Sequence, residues 1–449
     1  MAIVEALILF SSVYVAGIYV FGSVEVSEQS LGWLVPKATV VVIVMLVSLV
    51  SMGLYQFHQR VYYREVVIRI LVAVAAGSLA LAVIFYAVPP LAIWRSIAFV
   101  AILYSLVLLL IFRWYFVRTA DENIFRRRVL IFGAGGRAKS ISDLKRRADR
   151  RGFVVVGNVP APGDTNIAKI EAYQTNGESM SDVALRLGAD EIVVAMDDRR
   201  GNLPIRELLD CKLRGIEVVD LLEFLERETG KIRIDLVNPG WLIFSPGFRT
   251  SRFRRFNKRT VDVAVSAVLL MLLWPLMLLI ALAIKIEDGI RAPVFYHQSR
   301  VGRHGTPFDV LKFRSMREDA EADGEAVWAT ENDDRVTKVG AFLRKSRLDE
   351  VPQAINVLRG QMSLVGPRPE RPEFVDELVK TIPYYSERHT VKPGVTGWAQ
   401  IRYSYGASAE DAIEKLQYEL YYVKNQNLML DLLIILQTVE VILWSKGAR

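Results

Sequence analysis

At 449 residues, 52% of them hydrophobic, the chain is too long for one ordinary core and too apolar for a typical soluble enzyme, so several domains and membrane segments are expected. Its net charge of +7 gathers beside apolar runs, where it suits anionic headgroups, so a lipid bilayer and not nucleic acid is the expected partner. A single cysteine, Cys211, read as a small buried apolar residue, excludes an intrachain disulfide and a cysteine-based zinc site, and the four histidines show no ligand spacing.

Four apolar runs, residues 3–21, 35–55, 66–88 and 93–117, each approach the ~20 residues that a helix needs to cross a bilayer. They predict a four-helix transmembrane bundle over residues 1–118. Arg60, Arg64 and Arg69 flank the second loop and Arg113, Arg118, Arg126, Arg127 and Arg128 the end of the fourth run, whereas residues 22–34 hold no Lys or Arg. The positive-inside rule then puts both ends of the bundle in the cytoplasm. The first run lacks a basic lead-in and a cleavage site, which reads as an anchor, though the completeness of that helix is left open. No charge lies in the middle of a run, so anchoring is expected and transport is not.

Residues 119–250 alternate strands and helices. A strand at 129–132 enters the turn Gly133, Ala134, Gly135, Gly136, and a helix at 139–149 follows; further strands are expected at 153–156, 191–195 and 216–219. This predicts a Rossmann-like α/β domain with a mainly parallel sheet, in which Gly133, Gly135 and Gly136 are candidate nucleotide-binding residues. The fingerprint is incomplete: Ala138 stands at its third glycine, and Gly157 to Pro160 replace the acid that would hold a ribose hydroxyl. A turn kept for geometry and a nucleotide site without redox chemistry both stay open beside a working NAD site.

Residues 251–449 form the expected mixed α/β catalytic domain. A basic stretch from Arg252 to Arg259 leads into residues 261–286, apolar with Pro275 at the middle, where proline kinks or breaks a helix. A segment that enters the membrane, bends at Trp274 and Pro275 and returns keeps both basic flanks on one side; a Pro-kinked crossing is the alternative. Next come the cations Arg300, Arg303, Lys312 and Arg314, then an acidic stretch at 318–334 with no assigned role. The adjacent acids Asp349 and Glu350 follow Arg344, Lys345 and Arg347 and precede the stiff turn Gly366, Pro367, Arg368, Pro369. Carboxylate, guanidinium and rigid backbone in one segment suit phosphoryl chemistry, because a carboxylate can attack phosphorus when cations neutralise its oxygens. Two closing helices, at 409–424 and 428–444, read as helices lying in the membrane interface, with ordinary amphipathic core helices as the open alternative.

Residues 293–303, 308–316, 346–370 and the Lys392 to Gln400 segment together resemble the bacterial sugar transferases, in the long form of the monotopic polyprenyl-phosphate phosphoglycosyl transferases of exopolysaccharide biosynthesis. The resemblance implies transfer of a sugar-1-phosphate from a UDP-sugar to polyprenyl phosphate, typically undecaprenyl phosphate, with release of UMP at the bacterial inner membrane and the soluble domains cytoplasmic. It implies Asp349 as nucleophile of a covalent aspartyl-phosphosugar intermediate and as ligand of Mg2+, and Glu350 as a second catalytic acid whose role, toward metal, basic partner or proton, is left open. Lys312, Arg314, Arg344, Arg300, Arg303, Gln353, Pro367, Arg368 and Pro369 would bind substrate, Arg368 near the uridine. The family's re-entrant helix commonly breaks at Ser-Pro, replaced here by Trp274 and Pro275, and its middle domain is accessory. A homo-oligomer is left open. The rival readings are a membrane-anchored NAD-dependent nucleotide-sugar oxidoreductase, opposed by the incomplete glycine fingerprint and the absent Tyr-x-x-x-Lys dyad, and a non-catalytic scaffold of polysaccharide export, opposed by the acid pair.

Overall fold

The computed structural model describes residues 1–21, 28–52, 54–55, 63–119, 126–144, 147–150, 152–161, 164, 178–199, 203–237, 239–248, 251–317, 335–403 and 408–444. The acidic stretch at 318–334 lies outside them, as does Arg60. The chain divides into two compact units, Met1–Phe224 and Leu225–Arg449.

The first unit opens with helices α1 (Ala2–Phe21), α2 (Glu28–Ser51), α3 (Tyr63–Ala87) and α4 (Arg95–Thr119). α1 packs on α2 and α4, and α3 packs on the same two, so the four close into a bundle. Three of them, α1, α3 and α4, are long and apolar enough to cross a membrane, whereas the apolar part of α2 is the shorter Leu34–Val50. One end of the bundle holds a polar cluster that periodicity does not reveal. Glu5 pairs with Arg113 at 2.5 Å and takes the Tyr55 hydroxyl, while Arg113 and Arg69 donate to the Leu54 and Met52 carbonyls. These charges sit near helix ends, where freed carbonyls accept them.

The same unit carries β1 (Arg127–Phe132), α5 (Gly136–Ser142), β2 (Phe153–Val159), α6 (Met180–Arg186), β3 (Glu191–Val194), α7 (Ile205–Leu213) and β4 (Glu217–Asp220). All strand pairs are parallel, in the order β2-β1-β3-β4. The central strands β1 and β3 bury Leu130, Phe132, Ile192 and Val194 against Met180, Val183, Leu208 and Cys211 of the covering helices. Near-continuous apolar strands are what a sheet covered by helices demands. The helix after the glycine turn starts at Gly136 and is shorter than the expected 139–149.

The unit boundary falls inside α8 (Leu221–Thr229), and residues 225–248, expected to close the middle domain, are built into the second unit. There Ile232 joins a core with Val301, Val375, Tyr385, Leu416 and Leu420, against which Trp241 of α9 (Pro239–Phe244) packs.

The long helix α10 (Arg252–Asp288) follows. It runs through Trp274 and Pro275 without interruption, so the break expected there is not a break in secondary structure. Proline removes one N–H and leaves the neighbouring turns bonded. Near its start, Asp262 Oδ1 accepts from Ser363 Oγ (3.1 Å) and the Leu364 N–H (3.0 Å); near its end, Glu287 accepts from the Lys338 and Val339 N–H groups at 2.8 and 2.9 Å. Between these fastenings Met271, Leu272, Trp274, Leu278 and Leu279 are exposed.

The rest comprises the antiparallel hairpin β5 (Phe295–Val301) and β6 (Pro307–Phe313), then α11 (Lys338–Ser346), α12 (Gln353–Arg359), β7 (Ser363–Val365), α13 (Pro372–Thr381), β8 (Gly394–Thr396), α14 (Trp398–Arg402), α15 (Ala409–Asn425) and α16 (Leu428–Trp444), with β7 parallel to β8. Of the two readings open for α15, interfacial and core, the structure takes the second: it buries Leu416, Tyr418, Leu420, Tyr422 and Val423 and is a core helix of this unit. Its aromatic residues fill a protein core with Trp398, Leu433 and Ile434.

Candidate active site

Asp349 and Glu350 lie on a single 3-10 turn, Leu348–Glu350, wedged between α11 and α12. The turn is entered through Arg347, whose φ of 58° is left-handed, a conformation that costs a non-glycine residue energy and reverses the chain sharply. α11 is held close to the segment that follows β6: a Cβ on Gly340 would meet the Ser315 carbonyl oxygen at 2.0 Å, so only glycine fits. On the other side, Asn356 of α12 accepts from the Leu311 N–H (2.9 Å) and donates to the Asp309 carbonyl (2.7 Å). This amide locks α12 to β6 and thereby sets Lys312 opposite the acid pair.

The two carboxylates have different surroundings. Glu350 Oε1 accepts from Lys312 Nζ and from Arg368 Nη2, each at 3.0 Å. Burial alone would raise its pKa, but Lys312, Arg368 and Arg347 outweigh that and hold the group well below the usual carboxylate range. Asp349 is 7% exposed, and its Oδ1 has no hydrogen-bond partner among the described residues. Burial, then the like charge of Glu350, push its pKa up, with Lys312, Arg347 and Arg344 opposing. One acid is therefore neutralised in place and the other is confined, under-satisfied and surrounded by cations. An unmatched buried polar atom is a place where a ligand is expected.

The sequence candidates sort by the partners they find. Lys312 and Arg368 meet Glu350 directly, and Arg344 reaches Ser315 Oγ from the last turn of α11 at 3.2 Å while acting on Asp349 through its charge. Gln353 is buried as the first residue of α12. Arg314 donates to the Met316 carbonyl at 3.1 Å. Arg300 and Arg303 bond elsewhere: Arg300 reaches Gln298, the Pro369 carbonyl and Glu370, and Arg303 the Thr390 carbonyl. Their hydrogen bonds brace the turn at residues 367–370 and the hairpin end. Pro367 and Arg368 of that turn pack beside Trp398 and Gln400, with no room between them for a water. Arg347 was present in the sequence only as one more cation; its charge on both acids depends on the left-handed turn.

Mg2+ requires oxygen ligands and usually takes one or two carboxylates plus substrate phosphates. Among the described residues no group of three or more His, Cys, Asp or Glu could hold a metal alone, but the unmatched Asp349 oxygen fits the protein's share of such a shell.

The glycine turn of the first unit is already filled. Asp197 accepts from the Gly136 and Arg137 N–H groups at 2.9 and 2.8 Å, and Asp164 from Ala134 at 2.7 Å. A Cβ on Gly135 would meet Asp197 Oδ2 at 2.0 Å. Gly135 and Gly136 thus let the backbone approach an internal carboxylate where a dinucleotide would place its phosphates, and Gly133, at a φ of 131°, lets it pass close to the Ala195 carbonyl.

Comparison with known proteins agrees with this arrangement. A family model described as bacterial sugar transferase matches residues 253–445, which include the acid pair and the Pro-Arg-Pro turn. The chain is 42% identical over 247 residues to a UDP-N-acetylgalactosamine-undecaprenyl-phosphate N-acetylgalactosaminephosphotransferase of Aeromonas hydrophila, an alignment covering 54% of this chain and 56% of that protein's length. It is 32% identical over 375 residues to a UDP-glucose:undecaprenyl-phosphate glucose-1-phosphate transferase of Xanthomonas campestris pv. campestris, covering 79% of this chain and 75% of the relative. A Klebsiella pneumoniae protein of the same name is 36% identical over 323 residues, covering 70% and 67%. With a relative of that identity matched over three quarters of its length and the family model lying across the acid pair, the chain belongs to the bacterial sugar transferase family of enzymes.

Proposed function

We propose that the chain transfers a sugar-1-phosphate from a UDP-sugar to undecaprenyl phosphate and releases UMP, by way of a covalent intermediate on Asp349. The observation that carries this reading is the asymmetry of the acid pair: Glu350 is engaged by Lys312 and Arg368, while Asp349 presents a buried oxygen without a partner. In the first step an Asp349 oxygen attacks the phosphorus that bears the sugar, and the bond from that phosphorus to the UMP oxygen breaks, UMP leaving with the electron pair. In the second, a phosphate oxygen of the polyprenyl acceptor attacks the same phosphorus and the carboxylate leaves, restoring Asp349. Lys312, Arg344 and Arg347 supply the fixed positive field for the charge that builds on the phosphoryl oxygens. Mg2+, held by Asp349 and the substrate's phosphates, would add charge neutralisation.

The course of α10 supports a re-entrant placement in the bacterial inner membrane. Asp262 and Glu287 are separated by ~37 Å of helix at ~1.5 Å per residue, comparable with a ~30 Å hydrocarbon core, yet both are fastened to the same compact unit. A straight crossing would put one fastening on each side of the bilayer. A membrane-inserted segment that returns keeps Asp349 on the cytoplasmic side with nucleotide sugars. The parallel sheet with a filled glycine turn supports a Rossmann-like accessory domain without a dinucleotide.

The test is chemical. A UDP-sugar labelled at the phosphate next to the sugar should label the wild-type protein in the absence of acceptor and leave Asp349→Asn unlabelled, with turnover reduced by about a thousandfold or more, ~4 kcal/mol. Sequential kinetics with no adduct would assign Asp349 to metal positioning in a direct transfer.

A further inference from the structure

Pro367 and Pro369 have no N–H, so the turn that carries Arg368 is gripped chiefly by its carbonyls. Those of Pro367 and Glu370 accept from the backbone N–H groups of Gly394 (2.8 Å) and Val301 (2.9 Å), and that of Pro369 from Arg300 at 3.3 Å. The carbonyl of Arg368 itself accepts from Arg388 Nη2 at 2.7 Å. Arg388 is 3% exposed and lies in the 3-10 turn Tyr385–Thr390. Its Nη2 donates to Glu419 Oε1 of α15 at 2.8 Å, its Nε lies 2.8 Å from Oε2 of the same carboxylate as an ion pair, and its Nη1 donates to the Tyr385 hydroxyl at 2.6 Å. The two terminal nitrogens of this guanidinium thus hydrogen-bond to Glu419, Tyr385 and the Arg368 carbonyl, all within the protein. A buried ion pair adds little net stability over well-packed apolar residues, because desolvation offsets its attraction; what it supplies is geometry.

We propose that Arg388, oriented by Glu419, is a positioning residue for the transfer: it fixes the Arg368 carbonyl and so aims the Arg368 guanidinium at Glu350 and at the nucleotide half of the UDP-sugar. This rests on the reaction proposed above. A planar fork is needed, since one head group must meet a carboxylate, a phenol and a carbonyl at once. A lysine ammonium retains the charge and loses that geometry.

The experiment is a double-mutant cycle on the full-length protein in detergent, with kcat/KM measured separately for UDP-sugar and for undecaprenyl phosphate. Arg388→Lys should lower kcat/KM for UDP-sugar about tenfold, equivalent to ~1.4 kcal/mol, while kcat/KM for the lipid acceptor holds within about twofold. Added to Arg368→Ala, the same substitution should cost less than about twofold more, because its target is gone. Glu419→Gln, which keeps the volume, should repeat the pattern if Arg388→Lys fails to accumulate as folded protein. Equal losses for both substrates, full additivity with Arg368→Ala, or unchanged kinetics in both variants would overturn the proposal. A wild-type protein inactive with every UDP-sugar would instead overturn the reaction on which it rests.

Discussion

At the scale of single residues, the acid pair shows how position overrides type. Asp349 and Glu350 carry the same functional group on the same turn, and only their neighbours separate them: Glu350 has two cations at 3.0 Å and Asp349 Oδ1 has none bonded. A pH profile tests this. In the proposed reaction Asp349 must be ionised to attack, and because burial raises its pKa, the acid limb of kcat/KM for UDP-sugar should lie at higher pH than an ordinary aspartate would give. Lys312 opposes that rise, so Lys312→Met should move the limb to still higher pH in addition to weakening turnover. A limb that stays in place would show that Lys312 does not act on the nucleophile. The presence of the pair, its cations and the Pro-Arg-Pro turn was legible in the sequence because they lie within one short segment. The division of labour was not, since Lys312 reaches Glu350 from a strand 38 residues away.

Secondary elements show a similar division. The apolar runs, the alternating strands and the glycine turn were readable because periodicity and composition are local properties. What fills the glycine turn was hidden, because Asp197 arrives from beyond β3, about 60 residues later. Asp197→Ala should strip two amides of their acceptor and destabilise the protein by about 1 to 2 kcal/mol, the cost of a lost helix cap, read as a lower unfolding temperature. NAD added to the wild type should leave that temperature unchanged; an upward shift would show that the nucleotide displaces the carboxylates. The place of α15 was undecided for the same reason. Its Leu and Tyr pattern fits an interfacial helix and a core helix equally, and the packing of Tyr418 and Tyr422 against Trp398 and Leu433 decides between them.

For the whole molecule, topology is the decisive question. The re-entrant placement proposed for α10 predicts that reporters after Arg449 and near residue 201 both register the cytoplasm; a periplasmic C-terminus would establish a crossing helix. By itself the sequence determined that the chain has apolar helices long enough to cross a membrane, an α/β middle section and an acid pair at Asp349 and Glu350 flanked by cations, because apolar runs, strand alternation and clustered charge each leave a local pattern. Only the tertiary structure decided that residues 225–248 belong with the second unit, that one continuous helix is fastened at both ends to that unit, and that Glu350 is neutralised while Asp349 is not. Those outcomes depend on groups far apart in the chain meeting at 3 Å, and hydrogen bonds and ion pairs of that reach leave no periodicity to read.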